Sequence, residues 1–277
     1  MSARGVAFLD AHVHYHACFD PARFLGGAWA NFRRAAAEAR CGERFAFFLL
    51  LTEARGANWF EHLKECALRG SEIAPAWRAR TTDHLCQLSL HGPEGARLDV
   101  VSGYQIVTAE RLEVLALGSC ERIADGLTMT ETVEAVGASG AIPVVPWGFG
   151  KWLGQRGGYV RALLEGARPG QLFFGDNGNR LSGLPEPGLL RRARDAGFLI
   201  LPGTDALPFA SEADKTGGVG FRIDLNETVQ DIHSWQHASD HVRALAPVIP
   251  YGRLESAWSF AKNQVAMQVH KRSRSAA

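Results

Sequence analysis

Three histidines spaced two residues apart follow the first apolar run of the chain, in the segment FLDAHVHYH. Side chains two residues apart in a β-strand project from the same face, so His12 and His14 can converge on one cation where the strand ends. Neutral imidazole binds divalent transition metals, and we predict Zn, Mn or Fe at this position. The alternative is an ordinary pair of polar strand-end residues. His16 is expected to be exposed or to lie behind the ligands.

Carboxylates follow three later apolar runs. Asp205 comes after FLILPG, where a strand end at the mouth of a barrel would bring it to face the two histidines as a third ligand. Asp176 follows LFFG and Glu53 follows FFLLLT, and each is a candidate for a further metal-site carboxylate or a general base. Turn, capping and solvated roles are the alternatives. The predicted metal ligands are therefore His12, His14, Asp205 and Asp176, and the predicted catalytic carboxylates are Asp205, Asp176 and Glu53.

Basic and aromatic side chains lie in loops that follow two of these runs. The glycine-rich stretch WGFGKWLGQRG holds Lys151 and Arg156, and GDNGNR holds Arg180. Basic side chains at a strand end can clamp a phosphate or a carboxylate, so these three are predicted substrate-binding residues. Trp147 is predicted to form an apolar wall for the substrate. The alternatives are a solvated loop and simple packing.

Apolar runs alternate with amphipathic stretches over most of the chain, a pattern typical of βα units around a largely parallel sheet. The order predicts an α/β fold, a distorted (β/α)7–8 TIM-like barrel whose mouth would gather the candidate residues. The predicted strands are 6–11, 45–51, 100–107, 112–117, 142–145, 172–175 and 198–201. The predicted helices are 21–40, 58–69, 129–139 after an N-cap at Thr128, 159–165 and 187–196.

Two segments depart from this alternation. Residues 72–98 hold β-like runs with turn signals at Gly92, Pro93 and Gly95, which predicts a β excursion from the barrel. Residues 208–277 are richer in loop signals, and we expect them to cover one end of the barrel, with a closing helix over 254–270. Because no linker interrupts the pattern, residues 1–277 are predicted to form a single domain.

The overall charge of the chain is nearly balanced, with 30 basic and 29 acidic side chains among 277 residues. This balance argues against nucleic acid and membrane partners, so we expect a small-molecule, preferably anionic substrate, with a homo-oligomer left open. The absence of a signal peptide and of long apolar runs favours a soluble, cytoplasmic protein. Irregular spacing without a CxxC pair predicts free thiols in a reducing compartment for Cys18, Cys41, Cys66, Cys86 and Cys120.

Five segments together resemble the polymerase and histidinol phosphatase (PHP) domain, over roughly residues 6–207. In chain order they are FLDAHVHYH, FFLLLTEARGANWFEHLKE, VVSGYQIVTAERLEVLALG, DGLTMTETVEAVGASGAIPVVPWG and LPGTDAL. The resemblance implies a distorted (β/α)7 barrel that binds up to three divalent metals and hydrolyses phosphate esters. It places the chain within the wider group of amidohydrolase-like barrels.

Four ligand positions of that family are changed in this chain. The triplet TDH at the end of the second strand reads Thr52, Glu53, Ala54, and the metal-bridging glutamate falls on Gln105. A histidine of a later motif falls on Trp147, and the closing DxH motif keeps its aspartate but lacks its histidine. We therefore expect one metal ion rather than three. The ligands that remain at full strength are His12, His14 and Asp205.

Three functions fit these observations. The leading hypothesis is a metal-dependent hydrolase, a phosphoesterase in which one divalent ion with an open coordination position activates water. An amidohydrolase-type enzyme that cleaves C–N or C–O bonds would use the same site. A barrel that has lost catalysis and acts as a binding or scaffold module is the third, and it predicts a protein without stoichiometric metal.

Overall fold

The computed structural model describes residues 5–40, 44–225, 231–256, 258 and 263, and these form two β-sheets and six α-helices. The predicted α/β class is confirmed. Most of the predicted helix 254–270 lies outside the described residues. The strands are β1 (Gly5–Val13), β2 (Phe45–Leu51), β3 (Glu72–Ala74), β4 (Trp77–Thr81), β5 (Gln87–His91), β6 (Arg97–Val101), β7 (Gly103–Val107), β8 (Glu113–Leu117), β9 (Ile142–Pro146), β10 (Phe173–Asn177), β11 (Ile200–Gly203), β12 (Val219–Leu225) and β13 (Ile249–Gly252). The helices are α1 (Pro21–Glu38), α2 (Trp59–Arg69), α3 (Met129–Ala138), α4 (Gly154–Gly166), α5 (Gly188–Asp195) and α6 (Trp235–Arg243).

The larger sheet, sheet A, has the strand order β13-β12-β1-β2-β6-β5-β4-β3, with β1, β2 and β6 parallel at its centre. The smaller sheet, sheet B, has the order β11-β10-β9-β8-β7, in which β9, β10 and β11 are parallel and β8 runs against both neighbours. The structure therefore has two sheets where the sequence predicts one closed barrel. The described strands do not close by hydrogen bonding because no ladder joins β11 to β1.

The chain passes from sheet A to sheet B between β6 and β7, where the sequence predicts one continuous strand. A Cβ atom on Gly103 would lie 2.3 Å from the carbonyl oxygen of Leu51 and 2.7 Å from that of Ala116. Only glycine allows the backbone this close an approach to both neighbours. The residues just before this crossing, 72–98, contain β3, β4 and β5, which extend sheet A by antiparallel pairing.

Successive side chains of the central strands belong to different cores. Phe47 packs between Phe8 and Phe32 of α1. Its ring centroid lies 5.9 Å from that of Phe8 and 5.0 Å from that of Phe32. Leu9 and Phe48 belong instead to a core that strands of both sheets share. Because both faces are buried, the strands appear in the sequence as uninterrupted apolar runs, which made them predictable. A third core joins sheet B to α3, α4 and α5.

The helix boundaries follow local capping and packing. The predicted N-cap is confirmed, since the Thr128 side chain accepts a hydrogen bond from the Glu131 amide and the Glu131 side chain accepts one from the Thr128 amide. Helix α4 begins at Gly154 rather than at the predicted residue 159. Its glycines lower helix propensity, whereas the burial of Val160 and Leu163 compensates in the fold. None of the described helices combines the length and apolar character needed to cross a bilayer.

Two cysteines are joined in a disulfide. Cys86 and Cys120 are bonded, with their Cα atoms 5.3 Å apart. The prediction that all the cysteines are free thiols is therefore wrong for this pair, whereas Cys18 and Cys66 are free. Cys41 lies outside the described residues. The bonded residues lie 34 positions apart in the sequence. They meet only because the fold brings the residue before β5 next to the loop after β8.

Candidate metal centre

Three possible ligand atoms meet at the end of β1. The Nε2 atoms of His12 and His14 are 3.1 Å apart, and Oδ1 of Asp205 lies 3.5 Å from the first and 3.6 Å from the second. Among the described residues, this is the one group of three histidine, cysteine or acidic side chains close enough to share a cation. Ligand atoms about 2.1 Å from one tetrahedral cation stand ~3.4 Å from each other. The three side chains therefore fit around one divalent cation.

Burial sets the protonation state of these ligands. It lowers the pKa of His12 to about 4 and that of His14 to about 3, because removal from water disfavours the imidazolium form. Burial also raises the pKa of Asp205, and the neighbouring His14 opposes that rise. Both imidazoles are consequently neutral at pH 7, the form in which histidine binds metal.

The backbone of Asp205 adopts an unusual conformation that two contacts hold in place. Its φ is +50°, in the left-handed region that costs a residue other than glycine ~1–2 kcal/mol and that aspartate tolerates better than most. The Asp205 amide donates to the His12 carbonyl at 2.8 Å, and Asn179 Nδ2 donates to the Asp205 carbonyl at 2.5 Å. The third ligand is thus fixed directly to the backbone of the first.

A buried carboxylate joins the two strand ends that carry the ligands. Asp10 accepts hydrogen bonds from the Thr204 amide and hydroxyl at 2.8 and 2.5 Å, and from the His12 amide at 3.2 Å. It also accepts one from the Gly217 amide at 2.9 Å. Burial raises the pKa of Asp10 to about 6. Because Thr204 directly precedes Asp205, Asp10 holds β1 and the end of β11 at a fixed separation.

Asn177 orients the third ligand from β10. Its Nδ2 atom donates to Oδ2 of Asp205 at 2.9 Å and to the Trp147 carbonyl at 3.0 Å, while Oδ1 of Asp205 faces the histidines. The Oδ1 atom of Asn177 is buried without a hydrogen-bond partner in the described part of the chain. A buried acceptor without a partner, on a side chain that contacts Asp205, supports a polar occupant at this site. The strand-end pattern of the sequence pointed to the acidic neighbour, Asp176, and gave no signal for Asn177.

A second carboxylate, Glu113, faces the same ligands from β8. Its Oε1 atom is 2.5 Å from Nζ of Lys151. Burial dominates the pKa of His12, and the charges of Glu113 and Lys151 act on that pKa in opposite directions. The side chain of Gln105 lies close to His12 and also raises its pKa. Glu113 was not predicted from the sequence, because a pattern of parallel strands places functional residues only after each strand. Antiparallel β8 instead brings its first residue to the end where the parallel strands finish.

Two predicted carboxylates make other contacts. Asp176 accepts hydrogen bonds from Nε and Nη2 of Arg180 at distances of 2.8–3.2 Å. Glu53 accepts one from the Phe60 amide at 3.0 Å, at the start of α2, and lies 3.9 Å from Arg122. Neither belongs to the group of three ligand atoms in the described structure. Their roles as a metal ligand and as catalytic carboxylates stay predictions.

The four predicted substrate-binding residues make different contacts in the structure. Lys151 forms an ion pair with Glu113, and the charges of both residues act on the pKa of His12 and of Asp205. Trp147 is half-buried against the core of sheet B, and its carbonyl accepts the Asn177 hydrogen bond. Arg156 donates to the Gly150 carbonyl at 3.1 Å, and Arg180 pairs with Asp176.

A groove of about 710 Å³ lies beside His16, two residues after the ligand His14. Tyr15 and Trp59 line it and stack on each other with ring centroids 4.3 Å apart. His16 also lines it and stacks on the ligand His14, with centroids 5.5 Å apart. An aromatic groove therefore begins next to the candidate metal position, and exposed Arg55 lies along it.

No protein-family model and no curated protein matches the sequence. The lesion-specific endonuclease PfuEndoQ from Pyrococcus furiosus is structurally similar, with a TM-score of 0.52 and 11% identity over 88% of this chain and 57% of that chain. Endonuclease Q in complex with a 27-mer duplex substrate bearing an abasic lesion has a TM-score of 0.50 and 10% identity, over 90% of this chain and 60% of that one. PsfC from Pseudomonas syringae PB-5123 has a TM-score of 0.49 and 16% identity, over 97% and 99%.

At these identities the similarity to the endonucleases concerns the fold. This chain spans less than two thirds of the length of either endonuclease chain. The similarity nevertheless corrects one expectation. The exclusion of nucleic acid is wrong, because this fold is found in DNA-acting enzymes, one of them solved with a DNA duplex. Net charge was a poor guide because an enzyme contacts its substrate through local charges, whatever their sum over the chain.

Proposed function

We propose that this chain is a metal-dependent hydrolase of phosphate esters, of the nuclease or phosphoesterase kind, with one divalent cation held by His12, His14 and Asp205. The observation that carries the proposal is the convergence of three ligand atoms within 3.6 Å of one another. The fold shared with Endonuclease Q supports the reaction class. A Zn, Mn or Fe ion in this position would stabilise charge on a phosphoryl oxygen and lower the pKa of water.

Side chains of the chain itself would prepare the site for this chemistry. His12 and His14 stay neutral through burial, and Asp205 supplies the negative charge. Asn177 holds Asp205 so that one carboxylate oxygen faces the histidines. The adjoining groove is within the size range of small-molecule sites, so it can accept a leaving group as large as a nucleotide.

We further propose that the two sheets together make the distorted barrel of a PHP-like domain. Gly103 carries the chain from sheet A to sheet B at one junction. Asp10 joins β1 to Thr204 at the other junction, next to the ligands. A metal ion held by His12, His14 and Asp205 would add a further link between the sheets at the second junction.

Elemental analysis of the purified protein tests the proposal. We expect about one equivalent of Zn, Mn or Fe in the wild type and none in a His12→Ala/His14→Ala variant whose circular dichroism is unchanged. A His237→Ala/His241→Ala variant is the matched control, since it also loses two histidines, from α6. It should keep its metal. No metal in the wild type, even after reconstitution, would contradict the proposal and leave a binding or scaffold module.

Substrate screening of the metal-loaded protein then tests the reaction class. We expect turnover of p-nitrophenyl phosphate, bis-p-nitrophenyl phosphate or a nucleotide ester, lost in the His12→Ala/His14→Ala variant and retained in the His237→Ala/His241→Ala control. Turnover of carboxamides or lactones without any phosphate ester would favour the amidohydrolase-type alternative.

A further inference from the structure

Glu113 and Lys151 form an ion pair at the edge of the candidate metal centre. Their charged atoms are 2.5 Å apart, and the side chains are 19% and 39% exposed. The loop that carries Lys151 favours this arrangement: the Lys151 amide donates to the Gly148 carbonyl at 2.9 Å, and the lysine side chain folds back over Gly148. A Cβ atom on Gly148 would lie 2.6 Å from Cδ of Lys151.

Strand pairing places this ion pair beside the side chain that contacts the first ligand. In the β7–β8 ladder, Gln105 pairs with Leu115 and Val107 pairs with Glu113. Gln105 and Glu113 therefore lie diagonally on the same face of sheet B, with their Cα atoms ~7–8 Å apart. Gln105 is a neutral amide, and its side chain lies close to His12.

The negative charge at the centre suits one divalent cation rather than two. Asp205 is the one carboxylate among the three ligands, and the charge of Glu113 is paired with that of Lys151. A second divalent ion would need further carboxylate ligands, which Gln105 does not supply. An ammonium group beside the ligands instead provides a permanent positive charge that needs no coordination sphere.

We propose that the Lys151 ammonium, anchored by Glu113, takes the place of a second metal ion and binds an oxygen of the substrate's phosphoryl group. This inference rests on the proposed function. Lys151 is then the residue that contacts the anionic substrate, and Glu113 is a positioning residue that acts through it. The centre then uses one metal ion and one lysine ammonium, and its substrate is a phosphate monoester or diester.

Metal and phosphate titrations of Lys151→Met and Glu113→Gln test this inference. Zn²⁺ affinity should rise about tenfold in Lys151→Met, because a positive charge near the cation is removed and Glu113 is released. It should fall about tenfold in Glu113→Gln, where the ammonium is left unpaired beside the cation. Affinity of the Zn²⁺-loaded protein for inorganic phosphate should fall at least tenfold in Lys151→Met, and Lys151→Arg should retain most of it.

Lys64→Met is the matched control, because Lys64 forms an exposed ion pair with Glu61 on α2. This substitution should change the affinity for Zn²⁺ and the affinity for inorganic phosphate by less than twofold each. The inference would be overturned if Zn²⁺ affinity changed in the same direction in Lys151→Met and Glu113→Gln. It would also be overturned if the wild type bound two Zn²⁺ ions tightly. In either case the metal-dependent function stands. A wild type that binds no Zn²⁺ would overturn both.

Discussion

At the scale of single residues, the candidate centre depends on charge states that burial sets. Burial lowers the pKa of His12 and of His14 so far that both imidazoles are neutral at pH 7, and their Nε2 atoms lie 3.1 Å apart. Asp205 tolerates a left-handed backbone so that its carboxylate can reach them. The strain in this residue is consistent with a functional position, because the fold supports it through hydrogen bonds to His12 and Asn179.

The lowered histidine pKa values predict that metal binding withstands mild acid. Protons compete with the metal, so a pair of histidines with the ordinary pKa of ~6.5 would lose about a hundredfold in affinity between pH 7.5 and pH 5.5. Because burial lowers the pKa of His12 to about 4 and that of His14 to about 3, both stay neutral over this range. We expect a loss of less than about tenfold, the raised pKa of Asp205 accounting for part of it. Co²⁺ binding followed by visible absorption at the two pH values measures this, and a hundredfold loss would mean that the imidazoles are open to water.

The contact between Asn177 and Asp205 predicts that an amide without charge controls metal affinity. Asn177→Leu removes the hydrogen bond to Oδ2 of Asp205, and we expect metal affinity to fall ~10–100-fold, as for other partners of ligand carboxylates. Asp176→Asn is the neighbouring control, since Asp176 pairs with Arg180. We expect the metal affinity of Asp176→Asn to change less than threefold. A larger loss in Asp176→Asn than in Asn177→Leu would support the sequence-based assignment of Asp176 as a ligand.

At the scale of elements, the direction of a strand and the start of a helix decide what two acidic residues do. Glu113 reaches the centre because β8 runs antiparallel to its neighbours. Glu53 follows parallel β2 but accepts a hydrogen bond from Phe60, in the first turn of α2, where Asn58 makes no side-chain cap. A carboxylate at a helix N-terminus satisfies amides that have no partner within the helix.

The burial of this carboxylate predicts a pH-dependent effect of Glu53→Gln on stability. Burial raises the pKa of Glu53 above 4.5, so the folded protein holds the proton more tightly than the unfolded chain. The stabilising contribution of the protonated form is therefore complete below about pH 4.5 and is lost as pH rises through the folded pKa. Glutamine cannot ionise, so the free energy of unfolding of Glu53→Gln should improve relative to wild type between pH 4.5 and pH 7. Urea unfolding at both values measures it.

Glu53→Ala is the companion variant, and we expect it to lose ~1–2 kcal/mol because the amide is left without its acceptor. The same protein preparations test the predicted catalytic role. Loss of turnover beyond about tenfold in folded Glu53→Gln would indicate that Glu53 acts in the reaction as well as at the helix.

At the scale of the whole molecule, the candidate centre lies where the two sheets meet. Gly203 ends β11 in sheet B, and His12 lies near the end of β1 in sheet A. A Cβ atom on Gly203 would lie 2.2 Å from the amide nitrogen of His12 and 2.6 Å from its Cβ. The two backbones are thus in contact, and the geometry of the centre depends on how the sheets pack.

This close approach predicts that one methyl group can disrupt the centre. Gly203→Ala should displace His12, reduce metal affinity more than tenfold and cost ~1–3 kcal/mol of stability, because backbone atoms cannot yield as a flexible side chain can. Gly166→Ala is the control, since a Cβ atom there meets nothing within 4 Å. It should keep full metal affinity and change stability by less than ~1 kcal/mol. Equal metal affinity in Gly203→Ala and wild type would show that the sheets can shift without cost.

Local patterns in the sequence determined the α/β class, the apolar strands, the Thr128 cap and the pairing of His12 with His14, because these features depend on residues a few positions apart. The tertiary structure decided what depends on distant segments. It divided the strands between two sheets, bonded Cys86 to Cys120, and brought Glu113 to the ligands on an antiparallel strand. It also decided which of two adjacent side chains, Asp176 or Asn177, contacts Asp205. Strand direction and long-range packing leave no periodic trace in the sequence, so these features became visible only in three dimensions.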